Sequence, residues 1–297
     1  MTTIIAPRVH DLGGFQVRRA VPSLQARSVG PFVFVDHMGP AVFAPGKGVD
    51  VRPHPHIGLA TVTFLWSGTI HHRDSLGSEQ DIEAGDVNWM TAGRGITHSE
   101  RTPAGVREHE HPLHGMQTWV ALPKSDEEAA AAFHHHAAAT LPQQQRDGCW
   151  LRIIAGRGFG EESPVRVFSD TLYVAIDLAS GAELALDDSH AERALYLLEG
   201  EAQLDGVDLP VMHLVVLDPG SRPRLRARSP LKAMLLGGEP LDGPRHVWWN
   251  FVSSSRERIE QAKRDWLDGR FDPVPGDDEF IPLPGDAPAP PVYPGPN

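Results

Sequence analysis

A chain of 297 residues with 40% hydrophobic and 22% charged residues can fill one large globular domain or two ordinary ones. No apolar run approaches the roughly 20 residues that cross a bilayer, and the N-terminus lacks the basic stretch and apolar core of a secretory signal, so membrane association is not expected. A net charge of −12, with 27 basic against 39 acidic residues and no basic run longer than two residues, argues against direct binding to nucleic acid, while the single cysteine, Cys149, excludes an intramolecular disulfide and fits a cytoplasmic protein.

In chain order, short β-branched and aromatic runs alternate with glycine and proline turns. They are FVFVD from Phe32, ATVTFLW from Ala60, DVNWMT from Asp86 and MQTWVALP from Met116. After them come WLRIIAG, LYVAIDL, ALYLLEG, HLVVLD and KAMLLGG. This spacing predicts an all-β chain of antiparallel barrels or sandwiches. Two segments read as helices. One is the Ala-rich SDEEAAAAFHHHAAA from Ser125, whose His134, His135 and His136 read as a solvated tract without chemistry. The other starts at Ser253, with Ser254 and Glu257 at capping-box spacing, Ile259, Ala262 and Trp266 on one face and Gly269 as the stop. The tail from Pro282 is too rich in proline for a helix or a central strand, which leaves disorder or an extended strap.

A faint internal repeat relates FLWSG (Phe64–Gly68) to YLLEG (Tyr196–Gly200), with Gly85 and Gly220 following each. It predicts two similar barrels, at 1–142 and 143–297, with the seam in the polar stretch around Gln143 to Gly148. The C-terminal helix and tail then belong to the second.

The chemistry concentrates in two short motifs. In RPHPHIG, His54 and His56 stand two residues apart; in GRGITHSE, His98 and Glu100 do the same. Side chains at i and i+2 of a strand share a face, so two such strands lining a barrel bring three imidazoles and one carboxylate to one point. That mixed N/O set suits one Fe, Mn, Co, Ni, Cu or Zn ion better than Ca or Mg, and leaves two octahedral positions open. The repeat supplies an internal control. Its steps place Leu186, Asp188, Ala233 and Leu235 where the first half has the four donors, so the fold does not require them.

Other histidines compete for the site. His71 and His72 read as a hairpin tip, His109 and His111 as a charged loop, and His37, Gln117 and Trp119 as candidates to line the pocket.

The stretches HPHIGLATVTFLWSGTIHHRDSLGS, GDVNWMTAGRGITHSERTP, HGMQTWVALP and WWNFVSSSRERIEQAKRDW resemble bacterial members of the pirin family of the cupin superfamily. The likeness covers much of 30–125 and 245–270 and is looser in the second half. It implies a bicupin, with two jelly-roll-type barrels in one chain and a few short helices. It also implies iron, Fe(II) when reduced, held by His54, His56, His98 and Glu100, with a metal-free second barrel. The implied activity is that of a quercetin 2,3-dioxygenase, with a flavonol or similar enol-bearing aromatic and dioxygen as partners. A glutamate common shortly after His-x-His in cupins is replaced here by the Leu59–Ala60 region, which leaves Glu100 as the catalytic base. The alternative is a non-catalytic iron-based redox sensor that binds a protein partner. A monomer is expected.

Overall fold

The apolar runs between glycine and proline turns all become antiparallel strands. The computed structural model describes residues 3–11, 15–285 and 292–293, and among them no helix is long and apolar enough to cross a membrane. Packing divides the chain into two compact units, each discontinuous in sequence. One comprises 1–10, 18–37 and 137–240; the other comprises 11–17, 38–136 and 241–297. The chain passes from one unit to the other at 136/137 and returns at 240/241. After the return, Trp248, Phe251, Ile259 and Ala262 are buried around Ile57 of the 38–136 unit.

The 137–240 unit has an eight-stranded sheet whose centre is Glu192–Glu199, Leu231–Gly238 and Thr171–Leu178. A four-stranded sheet of Glu183–Ala185, Arg224–Ala227, Ala202–Leu204 and Val207–Leu209 completes it. Its interior is hydrocarbon. Leu186, Ala233 and Leu235, three of the counterparts expected from the repeat, are fully buried in one apolar cluster with Leu151, Ile176 and Leu197. Ala233 and Leu235, however, lie on Leu231–Gly238, which pairs with Glu192–Glu199 as His111–Ala121 pairs with Leu59–Ser67. The strand in the place of Ile96–Arg101 is Arg224–Ala227, whose Leu225 and Ala227 are buried in the same cluster. Asp188, the fourth counterpart, is exposed. Cys149 is buried in the same cluster and its thiol donates to the Glu183 carbonyl.

In the 38–136 unit, one sheet runs Asp50–His56, Ile96–Arg101, Ile70–Asp74, Glu79–Ile82. The other runs from Ala132–His136 through Val87–Thr91, Leu59–Ser67 and His111–Ala121 to Phe32–Phe43. Pro53 and Pro55 sit in Asp50–His56, an edge strand, where a missing N–H is tolerated. The edge is covered in part by the segment before the tail, whose Ile281 N–H donates to the Pro53 carbonyl at 2.8 Å. Val292–Tyr293 pairs with Arg245–Trp248, and the remainder of the expected strap after 285 lies outside the described residues.

The repeat holds at the level of single atoms. Gly68 and Gly200 each follow a strand with φ of +90° and +86°. A Cβ there would lie 2.4 Å from the Pro112 carbonyl oxygen and 2.3 Å from that of Pro230, so each half needs glycine at the same turn.

Two local expectations change. The Ala-rich segment is not a helix: Ala132–His136 is a strand paired with Val87–Thr91, because an available sheet edge outweighs a helix propensity worth a few tenths of a kcal/mol per residue. The second helix forms at Arg256–Leu267 with Ile259 and Ala262 buried and Gly269 in the left-handed region just beyond it. Its cap is Ser255, whose hydroxyl accepts from Arg258 N at 3.2 Å, rather than Ser254, which is engaged elsewhere.

Since Leu235 is fully buried in the 137–240 core, Leu235→Ala should lower the unfolding free energy by about 2–5 kcal/mol. Chemical denaturation measures this, and metal content per folded chain should not change.

Candidate metal centre

The strand Ile96–Arg101 lies between its two partners, with His98 opposite His54 on one side and Asp74 on the other. Entry into this strand depends on the GRG turn. Gly93 has φ +52°, and a Cβ on it would lie 2.0 Å from the Ala129 carbonyl oxygen, a contact that excludes any side chain. On the Ile70–Asp74 side the register is regular and sets Glu100 opposite His72, while on the Asp50–His56 side it shifts between His98 and Glu100.

The three histidines predicted from spacing converge. One ring nitrogen from each of His54, His56 and His98 lies within 4.8 Å of the others, and ring centroids are 4.4–5.0 Å apart. All three are buried. His54 donates from Nδ1 to the Arg52 carbonyl at 2.8 Å, and His56 from Nδ1 to the Asn250 carbonyl at 3.2 Å. In both, the proton on Nδ1 leaves the lone pair on Nε2. The Nε2 of His98 is buried with no hydrogen-bond partner. An orphaned ring nitrogen beside two others with available lone pairs fits a metal ion.

Glu100 enters a second, overlapping cluster with His98 and His72 rather than the three-histidine one. Its carboxylate is received by a cross-strand pair on the other sheet. Gln117 Nε2 donates to both oxygens at 2.8 and 2.7 Å, and Thr63 Oγ1 donates to Oε1 at 3.4 Å. Gln117 thus faces inward as expected. So does Trp119, which meets the edge of His56 at 5.1 Å.

Burial, reinforced by neighbouring imidazoles, holds His98 and His56 well below the usual histidine value. His54 is also lowered by burial, against the opposing influence of the Arg52 carbonyl and Glu100. Neutral imidazole is the form that binds a cation.

Sequence reasoning missed two contributors. His72 does not sit at a hairpin tip. It lies in the strand Ile70–Asp74, whose alternation buries Ile70, His72 and Asp74, a pattern legible in IHHRD. Asn250 reaches the site from 194 residues away, through its main-chain carbonyl. The SSS run after it anchors that segment, as Ser253 and Ser254 donate to the buried Glu127 carboxylate at 2.8–3.0 Å. Among the described residues, the rival histidines His37, His71, His109 and His111 fall in neither cluster. His111 donates from Nδ1 to the His109 carbonyl and stacks on Phe43. His37 belongs to the other unit, with Nδ1 3.3 Å from the Tyr196 hydroxyl.

An antiparallel barrel carrying a histidine–carboxylate cluster, in one chain with a second barrel built around an apolar core, defines a bicupin. The chain belongs to the pirin family: residues 14–120 match Pirin and residues 173–272 match the Pirin C-terminal cupin domain. It is 51% identical over 281 residues to a pirin-like protein of Caulobacter vibrioides, covering 93% of this chain and 97% of that one. The crystal structure of a quercetin 2,3-dioxygenase from Acinetobacter baumannii superposes with a TM-score of 0.87 at 34% identity, covering 97% of each chain. Escherichia coli YhhW, a bacterial pirin solved with nickel(II), covers 81% of this chain and 100% of its own with a TM-score of 0.63. At 18% identity it shows the fold alone.

The lowered histidines set a pH dependence. The unfolded chain takes up these protons below about 6.5, whereas the folded chain resists them. Stability is therefore full above 6.5 and declines as pH falls from there toward the lowered folded values. Denaturation of the metal-free protein should show this loss, with a shallower slope in His98→Gln.

Proposed function

We propose that the chain is a metal-dependent dioxygenase of the pirin type, acting on a flavonol such as quercetin or a similar enol-bearing aromatic. The observation that carries this reading is the buried trio His54, His56 and His98, each with one nitrogen available, next to a carboxylate held from the opposite sheet. The full-length likeness to a quercetin 2,3-dioxygenase supports the choice of reaction.

His54, His56, His98 and Glu100 would hold one divalent ion. Iron is the favoured metal, and the donor set also accommodates Mn, Co, Ni, Cu or Zn. Bound there, such an ion supplies Lewis acidity and one-electron chemistry toward dioxygen.

The chain's own part is positioning and proton transfer. A carboxylate has about four lone-pair sites, and Gln117 occupies one on each oxygen of Glu100. Thr63 takes a second site on Oε1, so one site on Oε2 remains, for the ion or, when Glu100 is not bound to it, for the proton of a substrate hydroxyl. Gln117 and Thr63 keep the group from swinging away as it does so. Glu100 is the only carboxylate in either histidine cluster, and no glutamate follows His56 closely to share the task. Trp119 and the buried rings form a wall that excludes water from the reacting face, which strengthens the polar contacts inside it.

The test is anaerobic loading with Fe(II), then quercetin in air, following flavonol loss and carbon monoxide release. The loaded protein should consume quercetin and the metal-free protein should not. Glu100→Gln should lower kcat/KM by about 10²–10⁴-fold, scored per bound metal. Flavonol loss at the same rate with and without metal would overturn the proposal.

A further inference from the structure

The two histidines of the HPH motif have their tautomers set by main-chain carbonyls, which can only accept a hydrogen bond. His98 differs. Its Nδ1 lies 3.4 Å from Nδ1 of His72, another imidazole, which can either donate or accept. Which nitrogen of His98 carries the proton therefore depends on what holds His72.

The other side of His72 answers this. Its Nε2 lies 3.0 Å from Asp74 Oδ2, and the second oxygen, Oδ1, accepts from the Leu76 and Ser78 N–H groups at 2.9 and 3.0 Å. Burial pushes the Asp74 carboxyl up, but hydrogen bonds from His72 and Ser78 outweigh it and keep the carboxyl low, hence an ionised acceptor. His72 is 3% exposed, Asp74 and His98 are fully buried, and the His72 ring is stacked on Phe133 at 4.2 Å and 11°.

With neutral imidazoles, one proton arrangement matches every hydrogen bond from Asp74 through His72 to His98. Ionised Asp74 demands a donor, so His72 carries its proton on Nε2. Nδ1 of His72 is then an acceptor, so His98 must donate from its own Nδ1. The lone pair of His98 is left on Nε2, the buried atom with no partner. The opposite arrangement puts a proton on that atom and blocks it.

We propose that Asp74 and His72 are positioning residues that fix His98 in the tautomer a metal requires. The inference rests on the metal-centre reading above. His72 also falls within 4.8 Å of His98 and Glu100, but both of its ring nitrogens are already engaged, so its role is to orient a ligand rather than to be one.

The decisive variant is Asp74→Asn. The Asn carbonyl oxygen can keep the Leu76 and Ser78 N–H bonds, which turns its NH₂ group toward His72 Nε2. A donor in that place forces the His72 proton to Nδ1 and the His98 proton to Nε2. Two readouts follow this inversion. Histidine ¹⁵N shifts of the metal-free protein should report Nδ1-protonated His98 in the wild type and Nε2-protonated His98 in Asp74→Asn. Metal affinity, measured by competition with a chelator, should fall about 10- to 100-fold. His72→Phe keeps a ring against Phe133 and removes the acceptor, so it should lose affinity similarly; His72→Gln restores an acceptor oxygen and should recover part of it. This second pair decides the matter if Asp74→Asn fails to fold.

Wild-type affinity in both Asp74→Asn and His72→Phe, or an Nε2-protonated His98 in the wild type, overturns the inference. A wild-type protein that binds no metal stoichiometrically instead overturns the metal-centre reading, and the ¹⁵N readout still judges the tautomer assignment separately.

Discussion

Three imidazole rings buried with centroids 4.4–5.0 Å apart cannot all be charged, and as neutral rings they present lone pairs to one another. That mutual constraint explains most of what surrounds them. Each Nδ1 is fixed from outside, by the Arg52 carbonyl, the Asn250 carbonyl and His72. The cost of holding three unsatisfied acceptors together in low dielectric is offset when a cation arrives. The site is thus preorganised by hydrogen bonds made before any ion binds, and the flanking strands serve to hold those bonds in register.

The two halves of the chain show what the fold needs and what the chemistry adds. Both end a central strand at a glycine pressed against a proline carbonyl oxygen. One half fills the strand that takes the place of Ile96–Arg101 with Leu225 and Ala227, buried in an apolar cluster with Leu186. The other places His98 and Glu100 there and then draws in residues 241–297, whose Asn250 carbonyl closes the second coordination layer. Glu127, which receives Ser253 and Ser254, fixes that segment from within the same unit, so the SSS run acts on the site through the backbone rather than through its own side chains.

Alternation made the central part of this site readable from sequence. His54 and His56, then His98, follow the two-residue period of a strand, and Gln117 and Trp119 point inward by the same rule. The failures also have physical causes. Ala132–His136 has the composition of a helix, but a sheet edge at Val87–Thr91 was available to it, and no local signal reports a distant partner. His72 was hidden by the doubled histidine beside it, although the buried face of Ile70, His72 and Asp74 was present in the alternation. Asn250 acts through a main-chain atom, to which side-chain chemistry gives no clue. The return of the C-terminal segment to the first unit depends on apolar contacts with Ile57, far away in sequence.

Anomalous diffraction from crystals of the iron-loaded protein, collected on either side of the metal edge, addresses the central claim most directly. The account predicts one peak per chain within about 2.0–2.2 Å of nitrogens of His54, His56 and His98 and in contact with a Glu100 oxygen, with His72 still bound to Asp74. A peak elsewhere, or coordination by His72 in place of His98, would contradict it.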